Sequence, residues 1–191
     1  MPSFNIIQYD PHFFSQVPAI TLRQRSIAVE KFDETLARLA DAMVQIINEL
    51  GRGTGLAAPQ IGVLYRVILI NVQAPRSRYS IKPPDPERDA AFQPVTALLV
   101  NPEIAYRSPE ENLDREGCFS LPGYIGLVKR ASRIEVQARD VRGGTVSLVA
   151  EGHVARVIQH EIDHLDGILY VDRMAAGERL IPKAELDPAM K

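Results

Sequence analysis

A single cysteine, Cys118, stands in a chain of 191 residues. A lone thiol closes no internal disulfide, so the fold must rest on packing, and such usage suits a reducing compartment. No charge of one sign dominates: 22 Lys and Arg against 24 Asp and Glu leave a formal net charge of −2. Without a basic excess, nucleic acid is not expected as the main partner, and the local group Arg76, Arg78 and Lys82 is too small to reverse that. Long apolar runs are missing too. The longest candidate, residues 63–72, is interrupted by Tyr65, Arg66 and Asn71, so no membrane-spanning helix is expected. The first ten residues lack the basic start and apolar run of a secretory signal. There is no internal repeat and no linker that marks a second domain. The expectation is a soluble cytoplasmic protein in which residues 1–191 form one domain, a length that can bury an ordinary core.

What is present is periodic. Between residues 29 and 50 the apolar positions Phe32, Leu36, Leu39, Met43, Ile46, Ile47 and Leu50 recur at three- and four-residue steps. This predicts a helix with one core-facing stripe, closed by a left-handed Gly51. Asp10-Pro11 marks a short helical turn. A glycine-rich turn over 51–62 leads into a strand at 63–71. Pro75, Pro83, Pro84, Pro86 and Pro94 make residues 73–94 an exposed loop, because proline removes a backbone donor. Further strands are expected near 97–100, 125–129, 134–140 and 145–149, with Arg142-Gly143-Gly144 as a hairpin turn between the last two. A second helix covers 152–166, with Gly167 just beyond it, and a short helix is expected in the tail after Arg173. The fold class is α+β, with antiparallel strands around a buried helix.

The densest chemistry lies in His160-Glu161-Ile162-Asp163-His164. Residues four apart on a helix share a face, so the two imidazoles can hold one metal ion. Glu161 is the candidate general base toward a water on that ion. The bland alternative is a pair of surface histidines on a polar helix. A hydrolytic site wants a third protein ligand. The metzincin position for it holds Tyr170 instead of histidine. A thermolysin-like ligand would be a downstream glutamate, Glu178 or Glu185. The other candidate is Cys118, in the glycine-flanked run Glu116-Gly117-Cys118-Phe119-Ser120, since thiolate suits zinc or ferrous iron. Taken alone, Cys118 reads more readily as a small buried apolar residue. In Gly53-Thr54-Gly55-Leu56-Ala57-Ala58-Pro59-Gln60 the glycines allow close backbone approach to a ligand, and Gln60 brings amide donors. The same run also reads as a plain helix-to-strand connection.

Taken together and in order, residues 53–60, 116–120 and 159–164 resemble the three signature motifs of the peptide deformylases. The flanks Val100-Asn101-Pro102-Glu103 and His164-Leu165-Asp166-Gly167 are similar as well. The resemblance implies an α+β metallohydrolase that removes the formyl group from N-formylmethionyl peptides and releases formate. It implies Cys118, His160 and His164 as metal ligands and Glu161 as general acid/base. It implies Gln60 and the backbone N–H of Phe119 as donors to the developing oxyanion, and backbone pairing of substrate with Gly55 and Gly117. Glu116 and Gln159, beside the ligands, would support them. The implied metal is Fe2+, with Zn2+, Ni2+ or Co2+ able to occupy the site, and the ribosome exit region is an implied partner. The helix of His160 is expected to wall an apolar pocket for the methionine side chain near Val157. Arg156 would lay its stem there with its head in solvent. His12 and His153 are read as ordinary residues. Two departures bear on subclass and cleft rim: His12, Phe13 and Phe14 stand where the family tends to show leucine and arginine, and the proline-rich segment is long. A zinc endopeptidase on the same helix is the enzymatic alternative, and a non-catalytic metal- or peptide-binding module is the alternative of another class.

Overall fold

Helix α1 (Glu34–Leu50) starts where Asp33 accepts hydrogen bonds from the N–H groups of Thr35 (2.9 Å) and Leu36 (3.3 Å), the usual service of a short acidic cap. The periodicity predicts an earlier start, at residue 29. Val29 is not free to join, because its N–H and C=O are bound by the Asn101 side chain at 2.8 and 2.9 Å. Gly51 closes the helix with φ 59°, as expected. The structure is a computed structural model that describes residues 20–186, apart from 52, 77, 79, 82–85 and the side chain of Arg88. The expected turn at Asp10-Pro11, the residues His12 to Phe14, and Pro83 and Pro84 lie outside the described residues.

Eight strands follow among the described residues: β1 (Gly55–Ala57), β2 (Val67–Val72), β3 (Val95–Arg107), β4 (Glu111–Cys118), β5 (Leu121–Ala131), β6 (Arg133–Arg139), β7 (Thr145–Glu151) and β8 (Ile181–Pro182). Between and after them come α2 (Pro86–Ala91), α3 (Gly152–Leu165) and α4 (Lys183–Leu186). Every strand pair is antiparallel. One sheet has the order β1-β2-β3-β6-β7 and the other β4-β5-β8. The α+β expectation therefore holds. β1, at one end of the larger sheet, pairs on one side only among the described residues.

Strand β2 explains how two helices share one sheet. Ile68, Ile70 and Val72 face Val157, Ile158, Ile162 and Leu165 of α3. The alternate residues Val67 and Leu69 face Leu36, Leu39, Met43 and Ile47 of α1. A strand buried on both faces reads as a continuous apolar run, and Val67–Val72 comes close to one. A third cluster joins Cys118, Leu121 and Val128 to Leu22, Leu169 and Tyr170, so the cysteine sits against the smaller sheet.

The strand expectations err where polar residues occupy inward positions. β3 is expected only at 97–100 but continues to Arg107. Asn101 (φ 50°) and Pro102 form a bulge, with a register shift between Val100 and Glu103, and the strand resumes beyond it. β4 is absent from the sequence reading. Its buried positions include Asp114 and Glu116, so it lacks an apolar alternation. Within the proline-rich segment, Pro86 opens the short α2, a position proline tolerates. The Arg142-Gly143-Gly144 turn forms as expected, with Asp140 accepting from the N–H of both Arg142 and Gly144 at 2.8 Å. No helix among the described residues is long and apolar enough to cross a membrane.

Candidate metal centre

Helix α3 brings its two histidines inside rather than onto the surface. His160 is 8 % exposed and His164 1 %, which removes the surface-pair reading. Their rings meet edge-on, 5.0 Å between centroids. Cys118 arrives from the end of β4, where pairing jumps from Glu116 opposite Gly126 to Cys118 opposite Leu121. Irregularities of this kind re-aim a side chain. Cys118 Sγ lies 3.3 Å from His164 Nε2, and one ligand atom each from Cys118, His160 and His164 falls within 4.8 Å of the others. The donor set fits a metal ion: one sulfur and two imidazole nitrogens converge in a buried place. Two polar atoms beside it, Nδ1 of His164 and Oε2 of Glu161, find no hydrogen-bond partner among the described residues.

The electrostatics follow from burial and proximity. Burial pushes the Cys118 thiol up, but the charge of His164 and hydrogen bonds from both histidines outweigh it and hold the thiol well below its ordinary value. For His160, burial favours the neutral ring, yet hydrogen bonds to Cys118 and Glu116 raise it well above the usual histidine range. This is the polarised sulfur expected of a reactive or metal-ligating cysteine. Glu161 is buried, and desolvation pushes its carboxyl up to about 7 despite the two histidines. A carboxyl near neutrality can both take and return a proton.

Gln60 is 1 % exposed. Its Oε1 accepts from Ala57 N–H at 2.8 Å, which turns Nε2 toward Cys118 Sγ (3.4 Å) and Ser120 Oγ (3.1 Å). Phe119, half-buried, lays its ring over Gly53: a Cβ there would come within 2.4 Å of it. Gly55 lies under Glu161, and a methyl group added to its Cα would stand only 2.4 Å from Oε1 of that carboxylate. Gly55→Ala is expected to push the carboxylate aside and lower kcat by about tenfold to a hundredfold while the chain still folds. Steady-state kinetics with circular dichroism checks this, and unchanged kcat would show that Glu161 tolerates displacement. Gly117 is exposed and packs near Ile125 and the Tyr124 carbonyl.

Glu116 is the hub behind His160. Its Oε2 meets His160 Nδ1 at 2.9 Å and accepts from Arg130 NH2 at 2.9 Å. Its Oε1 accepts from Arg130 Nε (2.9 Å) and Arg156 NH1 (2.7 Å). Burial alone would raise this carboxyl, but His160 and Arg130 hold it far below the ordinary carboxylate range. Arg130 also reaches Asp163 at 2.5 Å, and Asp163 binds Arg173. The sequence reading misses Arg130. Its signal is phase: it follows the buried residues Gly126 and Val128 at two-residue steps. The expectation that Arg156 keeps its head in solvent is wrong, since the residue is 4 % exposed with its guanidinium among acceptors. Val157 lies in the core below the larger sheet. The recess beside that turn, about 50 Å³, is walled largely by polar side chains: Arg76, Ser80, Asn112, Asp114, His153 and Arg156. Gln159 makes no hydrogen bond to the ligands among the described residues: it grips both backbone groups of Ala131 (3.3 and 3.0 Å), anchoring α3 to β5. Tyr170 is buried and stacks on His160 with 6.1 Å between centroids. Glu185 pairs with Arg179 at 2.7 Å on the surface, outside the ligand cluster.

Comparison with known proteins agrees with this geometry. Residues 12–180 match the family model described as polypeptide deformylase. A peptide deformylase of Thermomicrobium roseum is 41 % identical over 172 residues, covering 88 % of this chain and 89 % of the relative. The crystal structure of peptide deformylase from Thermotoga maritima superposes with TM-score 0.70 at 32 % identity, covering 92 % and 99 % of the two chains. The class I type b peptide deformylase from Acinetobacter baumannii bound to Met-Ala-Ser gives TM-score 0.72 at 32 % identity, covering 91 % and 99 %. The endopeptidase reading finds no support among these relatives. The chain belongs to the polypeptide deformylase family, metal-dependent hydrolases, and removes N-formyl groups from new peptides.

Proposed function

We propose that Cys118, His160 and His164 hold the catalytic metal, that the cellular metal is Fe2+, and that the substrate is an N-formylmethionyl peptide. Zn2+, Ni2+ and Co2+ can occupy the same ligands, because ligand identity does not by itself select among such ions. The observation that carries the reading is the convergence of the three ligand atoms within 4.8 Å, with the buried Glu161 carboxyl on the intervening turn. When bound, the cation lowers the pKa of a water and polarises the formyl carbonyl.

The chain's own groups do the rest. Glu161 takes a proton from the attacking water and delivers it to the departing amine, which leaves as the free N-terminus while formate is released. Negative charge gathers on the former carbonyl oxygen as the formyl carbon becomes tetrahedral. Gln60 Nε2 and the Phe119 N–H donate to that oxygen, a contribution whose loss commonly costs on the order of a hundredfold in rate. Glu116 engages Nδ1 of His160, so Nε2 is the nitrogen that would hold a metal. The substrate backbone lies along β1 at Gly55, on the side away from β2, and beside Gly117, which ties affinity to main chain rather than side chains. The Met-Ala-Ser held by the Acinetobacter relative has the free amine that such a reaction leaves. Residues 1–191 act as one catalytic domain in the cytoplasm, meeting nascent chains near the ribosome exit.

A chelator should remove activity, and anaerobic Fe2+ should restore more of it than aerobic Fe2+. Peroxide is expected to inactivate the iron form by oxidising iron or Cys118. Full activity after peroxide, in protein shown to contain iron, would contradict the assignment.

A further inference from the structure

We infer that Arg156 is a positioning residue for the metal centre: it locks the Glu116 carboxylate from the helix side and pins α3 to the hairpin that carries Cys118. The inference rests on the ligand set proposed above.

Arg156 lies one helical turn before His160, so the two share a face of α3. Both reach the same carboxylate, and they take different oxygens. Arg156 NH1 donates to Glu116 Oε1 at 2.7 Å, while His160 Nδ1 meets Oε2 at 2.9 Å. One turn of helix thus clasps Glu116 at two points. Arg130, donating from β5 to both oxygens, also holds the carboxylate, but it reaches α3 beyond His160, at Asp163, and not on the turn that precedes the ligand. With Arg156 in place the carboxylate cannot turn without moving the helix turn that carries His160.

The same guanidinium reaches three further acceptors on the hairpin. NH1 donates to the Val128 carbonyl at 2.9 Å, and NH2 donates to the Asn112 carbonyl at 2.7 Å and to its Oδ1 at 2.5 Å. Asn112 belongs to β4, the strand that ends in Cys118, and Val128 to β5, its partner. Two of the three ligands come from α3 and one from β4, separated by 46 residues between Cys118 and His164. Their spacing depends on how α3 sits against this hairpin. Gln159 at Ala131 and Arg130 at Asp163 hold α3 to β5 further along the helix. Arg156 adds the contact to β4 and holds the turn before His160, with a planar fork that reaches several acceptors at once, which lysine cannot reproduce.

The test compares wild type, Arg156→Met and Arg156→Lys, each loaded anaerobically with one equivalent of Co2+. Met keeps an apolar stem without the charge, and Lys keeps the charge. The readouts are the visible spectrum of the bound ion, its release rate to excess chelator, and kcat and KM. Arg156→Met is expected to release Co2+ about 10- to 100-fold faster, with altered ligand-field bands. Its kcat should fall with KM within about twofold of wild type, as when a group acts on the reacting centre rather than on substrate binding. Arg156→Lys should fall between. Leu39→Ala, on the buried face of α1, is expected to lower Tm without changing spectrum or release. If Arg156→Met lowers Tm but leaves release and spectrum as in wild type, the positioning role is overturned. If the Met variant does not fold, Arg156→Lys decides, and wild-type release from it overturns the role equally. A wild-type protein that binds Co2+ without a thiolate charge-transfer band would instead break the ligand assignment, and the inference falls with it.

Discussion

Glu161→Gln is expected to cut kcat by about 10²- to 10⁴-fold with one equivalent of metal still bound. Glutamine keeps the shape and some hydrogen bonding, but it cannot accept the water proton. Loss of metal along with activity would instead make Glu161 a structural support of the site. The same variant reports the cost of the buried carboxylate in metal-free protein. Burial pushes Glu161 from 4.5 up to about 7. A raised carboxyl contributes its stability below its unfolded value and loses it as pH climbs through the folded value. Chelated wild type should therefore lose on the order of 3 kcal/mol relative to Glu161→Gln between pH 4.5 and 7, and no more above that. Urea midpoints measured across this range would show it, and parallel curves would contradict it.

The second large effect lies at Glu116. Glu116→Ala removes the carboxylate shared by Arg130, Arg156 and His160. Two guanidiniums, at 5 % and 4 % exposure, then stay buried with part of their donors unmatched. Breaking a buried pair this way costs about 3–5 kcal/mol, a large share of the roughly 5–15 kcal/mol that holds a domain together. The expected fall in Tm is about 6–20 °C. His160 also loses the partner on Nδ1, and metal affinity should drop about 10- to 100-fold. Differential scanning calorimetry and metal titration test both effects. A variant that keeps its Tm would show that water or a neighbouring acidic group takes over.

Much of the fold and the site is legible in the sequence. The histidine pair, Glu161 and the two glycine-flanked runs signal themselves through short-range spacing, since four residues make about one helical turn. The stripe from Leu36 to Leu50 does likewise for α1. What the sequence conceals lies in long-range pairing. Helix α1 begins late because Asn101, 72 residues away from Val29, occupies the backbone of Val29. β4 is invisible because its inward residues include acids, one of them matched by distant arginines, which no apolar alternation can reveal. The same reason hides Arg130 and makes the head of Arg156 look solvent-facing. A charged side chain looks solvated until its partner is known. Gln159, adjacent to a ligand in sequence, holds Ala131 instead, because neighbouring helix positions point in different directions.

The most direct test is chemical. Anaerobically purified protein carrying one equivalent of Fe2+ is incubated with formyl-Met-Ala-Ser and assayed for formate. One formate per peptide, with free Met-Ala-Ser and no cleavage inside the tripeptide, is the result expected of an ion held by Cys118, His160 and His164. No formate from metal-loaded protein would contradict it.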